Sequence, residues 1–424
     1  MRTLTPLPQD SKSGDRGTVR ERLRLHLVPA PRAASTGRSA VSTPAPSSTP
    51  PTGALLDAPP DRAPTPVRTP PEGAHALVVG ASGISGSALV RQLGAAGWRV
   101  TGLSRSPVPG SPAGHVAADL RSPESLREAL GDLGPTHVFI TAWSRQETEA
   151  ENIRVNGGMV RDLLAVLGPQ GTLRHVALVT GLKHYLGPFE AYGRGDLPDT
   201  PFLEDAERLP VDNFYYVQED ELFAAAAAHG FTWSVHRSHT VIGHAVGNAM
   251  NLASTLAAYA GIQRHLGRPL VFPGSRAQWD GVVDLTDADL LADHQLWAAT
   301  TPAAADTAFN VVDGDLVRWR RLWPRLAEHL GVEAQGPGDE PQPLEQQMAG
   351  AEDVWAELVA QHELVEPDLA RVASWWHTDA DLGREVEVFA DVTRSRLLGW
   401  TGFVSTERAL LRLVDRYRAE RLVP

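Results

Sequence analysis

Short apolar runs alternate with amphipathic stretches along the chain from residue 75 onward. The first run, His75-Ala-Leu-Val-Val, is apolar after its histidine, as in a strand that is buried on both faces. Between the runs, apolar residues recur at helical spacing, as in a long helix predicted over about 146–167. Strands that alternate with helices predict an α/β fold, a Rossmann-type doubly wound parallel sheet. Further predicted strands begin at Arg99, His115, His137 and His175.

Three glycines separate the first strand from its helix, in the sequence Gly80-Ala-Ser-Gly-Ile-Ser-Gly. Such glycines allow a sharp turn, close approach of the backbone to a pyrophosphate and tight packing of helix on strand, while the helix N-terminus offers N–H groups. The position between strand and helix predicts a nucleotide-binding turn. A purely structural turn in another α/β protein is the alternative. The expected contacts in this turn are Gly80, Ser82, Gly83, Ile84 and Gly86.

Ligands of such sheets bind beyond the carboxyl ends of the strands, so the residues that follow the strands should face one crevice. Arg105 follows the second strand, where enzymes that use NAD usually have an acid for the ribose hydroxyls. A guanidinium there suits a phosphate, so we expect NADP (NADPH); an exposed loop arginine is the alternative. Asp119 and Leu120 are expected near the adenine. The other expected cofactor contacts are Thr141, Ala142, Thr180, Lys183, Tyr215 and Ile242.

Lys183 is one of only two lysines, and the other, Lys12, lies near the N-terminus. From residue 73 onward the chain otherwise uses arginine for its permanent positive charges. A compact ammonium can contact ribose hydroxyls and support proton donation by a phenol, and the planar guanidinium of arginine does not replace it. Lys183 is therefore a candidate catalytic residue, with an incidental loop lysine as the alternative.

The candidate phenol is Tyr215, near the start of a helix that Asp212 or Asn213 is expected to cap. In many short-chain dehydrogenases, Tyr-x-x-x-Lys places both groups one helical turn apart. Here the fourth residue after the tyrosine is Glu219, so Lys183 would supply the charge from the end of the fifth strand. The alternative, if Lys183 does not act with it, is that Tyr215 only packs against its neighbours.

Composition divides the chain near residue 72. Residues 1–71 hold 14 of the 33 prolines and 10 Lys+Arg against 5 Asp+Glu. Such a segment buries too little apolar surface to offset its ordering entropy, so 1–72 is predicted to be a disordered leader. A transit peptide and a tail without function are alternatives. The net charge of −12, the lack of cysteine and the lack of a membrane-length apolar span predict a cytoplasmic protein with no nucleic-acid or membrane partner.

Seven stretches carry a family resemblance: Gly80-Ala-Ser-Gly-Ile-Ser-Gly, Thr180-Gly-Leu-Lys-His-Tyr-Leu-Gly-Pro-Phe, Asn213-Phe-Tyr-Tyr-Val-Gln-Glu-Asp, Thr232-Trp-Ser-Val-His-Arg, Trp279-Asp-Gly, Thr286-Asp-Ala-Asp-Leu and Phe309-Asn-Val-Val-Asp-Gly-Asp. Together they resemble the progesterone 5β-reductase and iridoid synthase family (PRISE), a divergent branch of the extended short-chain dehydrogenases. The resemblance implies NADPH-dependent reduction of the carbon–carbon double bond of an enone or enal, with Lys183 and Tyr215 as the catalytic pair. It also implies an NADP-binding core over 73–245 and a substrate-binding portion over 246–424. Two features depart from the family: Ser238 stands where proline is common, and the leader has no counterpart.

The resemblance indicates a hydrophobic pocket with few polar groups, suited to a steroid, a terpenoid or a small enone. Its expected substrate contacts are Trp143, Phe189, Met250 and Trp400. No metal site is predicted, since His184, His236 and His239 lack the spacing of metal ligands. The sequence leaves open whether the protein forms a homodimer. A non-catalytic NADP-sensing regulator is an alternative that would be expected to lack the Tyr and Lys pair. A carbonyl reductase or a nucleotide-sugar epimerase is another, but an epimerase would normally keep Tyr-x-x-x-Lys on one helix.

Overall fold

The computed structural model describes residues 62, 69–107, 110–188, 198–245, 247–248, 250–340 and 342–424, which belong to one compact unit, Pro59–Pro424. Most of the predicted leader and the candidate Phe189 lie outside the described residues. The strands are β1 (His75–Val79), β2 (Arg99–Leu103), β3 (Gly114–Val116), β4 (His137–Ile140), β5 (His175–Gly181), β6 (Thr232–Ser238), β7 (Val241–Ile242), β8 (Leu270–Val271), β9 (Thr286–Asp287), β10 (Thr307–Val311) and β11 (Ala334–Gln335). The helices of the first half are α1 (Ile84–Ala95), α2 (Pro123–Leu130), α3 (Glu149–Asn152), α4 (Gly158–Leu167), α5 (Lys183–Leu186) and α6 (Phe214–His229). Those of the second half are α7 (Leu252–His265), α8 (Arg276–Asp280), α9 (Ala288–Thr300), α10 (Trp319–Leu330), α11 (Leu344–Gln347), α12 (Glu352–His362), α13 (Leu369–Val372), α14 (Trp375–Leu382), α15 (Thr393–Leu397) and α16 (Thr406–Ala419).

A seven-stranded parallel sheet has the strand order β10-β6-β5-β4-β1-β2-β3. This arrangement confirms the predicted Rossmann-type doubly wound sheet. The strand order reverses between β1 and β4, which is the point where such sheets bind ligands. β3 is shorter than its apolar pattern suggests, because only Gly114–Val116 pairs with β2 before the chain leaves the sheet.

The helices next to this crevice begin close to their predicted positions. Asn213, and not Asp212, caps α6, because its Oδ1 accepts a hydrogen bond from Tyr215 N at 3.0 Å. The helix predicted over about 146–167 begins at Glu149 and passes through a π-helical turn, Ile153–Gly157, before it continues as α4. The cap at Asn213 fixes where the candidate phenol leaves the helix.

The C-terminal part of the chain supplies the last strand of the sheet and a core of its own. β10 pairs with β6, and α9 packs against α1. The largest hydrophobic cluster surrounds α7 and includes the buried rings of Trp297, Trp323 and Trp355. Arg62, within the predicted leader, forms an isolated antiparallel β-bridge with Val404. Across the described ranges, no helix combines the length and apolar character needed to span a bilayer.

Candidate active site

One cavity of about 970 Å³ lies at the carboxyl ends of the strands, between the glycine turn and the C-terminal helices. Fourteen of the candidate residues named from the sequence line it, contributed by the segments that follow β1, β2, β3, β4 and β5, by α6 and by the segment before α7. The cavity therefore brings most of the expected cofactor contacts and the candidate catalytic pair together. These fourteen are Gly80, Ser82, Gly83, Ile84, Arg105, Asp119, Leu120, Thr141, Ala142, Trp143, Thr180, Lys183, Tyr215 and Met250.

The glycine turn fits the pyrophosphate of a dinucleotide. Gly80 has φ +87°, a conformation that favours glycine, and a Cβ added at Gly86 would lie 2.1 Å from the Gly80 carbonyl oxygen. Gly83 precedes α1 without a side-chain cap, so the first N–H groups of this helix face the turn without a competing side chain. Gly86 itself lies beneath the turn and contributes close packing instead of a cavity wall.

Two arginines mark the end of the cavity expected to hold the adenosine. Arg105 is exposed and follows β2, as the sequence pattern predicts. Arg121, which the sequence analysis did not single out, binds Asp119 through Nη2 at 2.9 Å and Nε at 3.1 Å. These hydrogen bonds lower the pKa of the Asp119 carboxyl. The pair gives this end of the cavity a fixed polar wall, while the Arg105 guanidinium stays open to a phosphate.

Lys183 lies at the first position of α5, directly after β5, and is only 4% exposed. Its Nζ lies 4.8 Å from the ring centroid of Phe214 and 6.0 Å from that of Trp143. Aromatic ring faces attract an ammonium, so these two rings stabilise the charge in a site with little solvent.

Asn213 connects the segments that carry Lys183 and Tyr215. Its Nδ2 donates to the Lys183 carbonyl oxygen at 2.6 Å, while its Oδ1 caps the helix of Tyr215. A Cβ added at Gly181, at the end of β5, would lie 3.4 Å from Tyr215 Oη, so the phenol reaches the end of the strand that leads to the lysine. The candidate pair is thus assembled from two elements. The sequence predicts Asn213 only as a possible helix cap, and not as the link to the Lys183 segment.

Glu219, which stands one turn after Tyr215 in place of a lysine, is buried outside the cavity. Its carboxylate is 2% exposed and does not line the cavity; it accepts a hydrogen bond from Arg208 Nη2 at 2.8 Å. Its Oε1 also lies 3.8 Å from Arg237 Nε and 3.9 Å from His184 Nδ1. Burial raises the pKa of Glu219, and the charges of Arg237 and Arg208 oppose that increase. The side chain one turn after the tyrosine therefore anchors α6 to its surroundings on the side away from the cavity.

Two further candidates, Ile242 and Trp400, lie in packed surroundings instead of in the cavity wall. Ile242 is fully buried in β7. Trp400 packs against Trp297 with ring centroids 5.6 Å apart, in the C-terminal core. The Trp400 side chain, which was expected beside the substrate, therefore packs in that core. Ser238, which stands where proline is common, does line the cavity, and its Oγ donates to the Thr180 carbonyl oxygen at 3.0 Å, which ties β6 to β5.

Two of the three histidines considered as metal ligands, His236 and His239, make side-chain hydrogen bonds within the protein. His236 Nδ1 lies 3.0 Å from His294 Nδ1, and His239 Nδ1 is hydrogen-bonded to Asp284. Within the described parts of the chain, no group of three or more potential ligand residues is arranged to hold a metal ion.

The C-terminal wall of the cavity is more polar than the sequence pattern suggests. α14 contributes Trp375, Trp376, His377 and Asp381, and Arg384 follows the helix. The guanidinium carbon of Arg145, in the segment after β4, lies 3.6 Å from the ring centroid of Trp376. The two halves of the cavity are joined there by a cation–π contact.

Comparisons with known proteins agree with this architecture. Residues 119–424 match the family model described as "PRISE-like Rossmann-fold domain". A 3-oxo-Delta(4,5)-steroid 5-beta-reductase of Arabidopsis thaliana is 39% identical over 362 residues, which cover 82% of this chain and 93% of that protein. An (S)-8-oxocitronellyl enol synthase of Camptotheca acuminata is 38% identical, with the same coverage of both chains.

Solved structures show the same fold at low sequence identity. A UDP-glucose 4-epimerase of Thermus thermophilus in complex with NAD has a TM-score of 0.58 at 18% identity, covering 81% of this chain and 99% of that one. RMD from Pseudomonas aeruginosa complexed with NADPH has a TM-score of 0.57 at 17% identity, covering 82% and 99%. The motifs, the site and the extent of these matches together place the chain in the PRISE-like family of Rossmann-fold proteins.

Proposed function

We propose that this protein is an NADPH-dependent reductase that adds hydride to the carbon–carbon double bond of enones and enals. The observation that carries the proposal is the position of Lys183 and Tyr215, which reach the glycine-turn cavity from two different elements. The relatives at 39% and 38% identity, named as a steroid 5-beta-reductase and an enol synthase, support the same chemistry.

The cavity offers contacts for a nicotinamide dinucleotide, and one of them, Arg105, supports NADPH over NADH. The turn Gly80 to Gly86 and the start of α1 would hold the pyrophosphate, and Arg105 would bind the phosphate on the adenosine ribose. Lys183 would contact the nicotinamide ribose through its ammonium. When bound, NADPH supplies the hydride for the reduction.

The chain's own contribution follows from where charge develops. Hydride addition at the β-carbon sends electron density to the carbonyl oxygen, so a donor held at that oxygen stabilises the enolate as it forms. Tyr215 Oη is that donor, and the nearby Lys183 ammonium favours negative charge on the phenol and the substrate oxygen. Uptake of a proton at the α-carbon then completes the saturated ketone or aldehyde. Trp143 and Met250 line the same cavity and would pack against the apolar part of the substrate.

Isotope transfer tests this assignment. With NADPH deuterated at its transferable position, we expect deuterium at the β-carbon of a saturated carbonyl product. Tyr215→Phe should slow the transfer by about 10²–10³-fold, the usual effect of losing one oxyanion donor. Tyr216→Phe is the matched control: its Oη donates to the His184 carbonyl oxygen at 2.6 Å, so its loss should lower stability far more than it lowers kcat.

Other results would identify a different protein. Deuterium on a carbinol carbon, with the double bond intact, would indicate a carbonyl reductase. NADPH binding without reduction of any enone, enal or ketone would indicate an NADP-sensing regulator.

A further inference from the structure

The polar cluster in the C-terminal wall of the cavity has no part in the chemistry above. It consists of His377 and Asp381, one helical turn apart on α14, and Arg384, just after the end of that helix. Asp381 is 7% exposed and the Arg384 side chain 8% exposed. Charged residues are seldom this deeply buried unless they are paired, and here the pair lies in the wall of a substrate cavity.

The hydrogen bonds inside the cluster do not satisfy all of its buried polar atoms. Arg384 donates through Nη2 to Asp381 Oδ1 and through Nη1 to Thr240 Oγ1 at 3.4 Å. His377 Nδ1 lies 3.7 Å from Asp381 Oδ2, beyond hydrogen-bond distance. Among the described residues, Arg384 Nε, Asp381 Oδ2 and His377 Nδ1 have no hydrogen-bond partner. Buried polar atoms of this kind cost free energy unless a ligand satisfies them.

The backbone holds this cluster in place from two sides. Ser275 N donates to the Leu382 carbonyl oxygen at 2.9 Å, and Ser275 Oγ donates to that of Arg384 at 2.5 Å. Asp379 accepts hydrogen bonds from Leu344 N at 2.7 Å and Glu345 N at 3.0 Å, which ties α14 to α11. The remaining donor and acceptor atoms are therefore preorganised, which lowers the cost of binding.

Charge and hydrogen-bonding capacity select the ligand group. Asp381 neutralises Arg384, so an anionic group gains little attraction and is repelled by Asp381 Oδ2. A carbonyl can accept from Arg384 Nε but leaves Asp381 Oδ2 without a donor, whereas a hydroxyl can donate to one and accept from the other. We propose that His377, Asp381 and Arg384 form a subsite for a hydroxyl group of the substrate, separate from its reacting carbonyl. This inference rests on the proposed function and narrows its substrates to hydroxylated enones and enals.

The test uses 2-alkenals of increasing chain length, each with a terminal methyl, hydroxyl or carboxylate group. At the length that reaches the subsite, kcat/KM for the hydroxyl compound should exceed that for the methyl compound by about tenfold or more, as expected for hydrogen bonds to charged groups. Asp381→Asn and His377→Phe should bring this ratio toward one. The ratio within each variant is the readout, so a loss of folded protein cancels.

Asp415→Asn is the matched control, because it removes an exposed carboxylate paired with His329 on another surface, and it should keep the wild-type ratio. Equal kcat/KM for hydroxyl and methyl compounds at every length would overturn the subsite while leaving the reductase intact, and so would a preference for the carboxylate. If neither these alkenals nor any enone is reduced, the proposed function fails. Calorimetric Kd values for the same compounds then decide the subsite: tighter binding of the hydroxyl compound supports it, and equal binding overturns it.

Discussion

The surroundings of the Lys183 ammonium restrict both the charge and the shape of the side chain at this position. Its side chain is nearly fully buried, and its Nζ faces the ring of Phe214 at 4.8 Å. Its main chain is held by Asn213. An arginine at this position would have to fit a larger planar group with five N–H donors into the same pocket.

We expect Lys183→Arg to fail about as badly as Lys183→Met, with kcat for enone reduction lowered by about 10²-fold or more in both. The positive charge alone does not reproduce the contacts of a compact ammonium. Steady-state kinetics with NADPH, together with Tm values to confirm folding, measures this. Arg161→Lys, at an exposed position on α4, serves as the control. Near-normal turnover by the arginine variant would mean that the site requires only a positive charge.

At this scale, the rarity of lysine made Lys183 visible in the sequence, and the end of β2 made Arg105 visible. The polar cluster was not predictable, because Thr240 and Arg384 meet only after the chain folds. For Trp400 the sequence did not distinguish two roles, since a large aromatic residue has the same appearance in the sequence whether it packs in a core or lines a pocket. Long-range packing decides between the two.

Among the elements, the turn between β1 and α1 tolerates the least change. A Cβ at Gly86 would lie 2.1 Å from the Gly80 carbonyl oxygen and 2.9 Å from Thr141 Oγ1, and the first of these is a backbone atom that cannot move alone. The helix and the strand are therefore in contact through the glycine itself.

Gly86→Ala should weaken NADPH binding by at least about tenfold and lower stability by roughly 1–3 kcal/mol, the usual cost of overpacking. Calorimetric Kd and thermal unfolding measure the two effects. Gly94→Ala, in the same helix, is the control, since its Cβ would make an ordinary contact with Pro112 at 3.4 Å. That variant should bind NADPH normally and be as stable as wild type or more so. An unchanged Kd for NADPH in Gly86→Ala would show that the glycine turn is not part of the cofactor site.

The regular elements were largely predictable, since each strand of the first half begins where an apolar run begins. The pattern did not reveal the π-helical turn Ile153–Gly157 between α3 and α4, whose buried residues are Asn156 and Gly157. Nor did it reveal how early β3 ends, because the residues after Val116 are still apolar while sheet pairing has stopped. Hydrogen bonding, and not hydrophobicity, sets both boundaries.

For the molecule as a whole, buried histidines link stability to pH. Burial lowers the pKa of His137 to about 4 and those of His175, His184 and His294 to about 3. Each is neutral in the folded protein at a pH where the unfolded chain, with a pKa near 6.5, binds a proton. Stability is therefore fully present above about pH 6.5 and decreases as the pH falls toward 4.

Between about pH 6 and pH 4, each such histidine should lower the free energy of unfolding by up to about 1.4 kcal/mol per pH unit. Urea denaturation at several pH values measures this slope. His175→Gln should make the slope shallower, because it removes one titrating group from the core. His229→Gln, at an exposed position, should leave the slope unchanged. The same slope in both variants would contradict this explanation of acid sensitivity.

The last strand of the sheet also determines the order in which the protein can be completed during synthesis. β6 pairs with β10, which is supplied by Thr307–Val311, long after the candidate pair Lys183 and Tyr215 has left the ribosome. Until then, the nascent chain presents an unpaired β6 edge, and such edges recruit other strands. Sequence-distant pairing of this kind also slows folding. A fragment that stops at residue 245 would contain the glycine turn and both residues of the candidate pair and still be prone to aggregation.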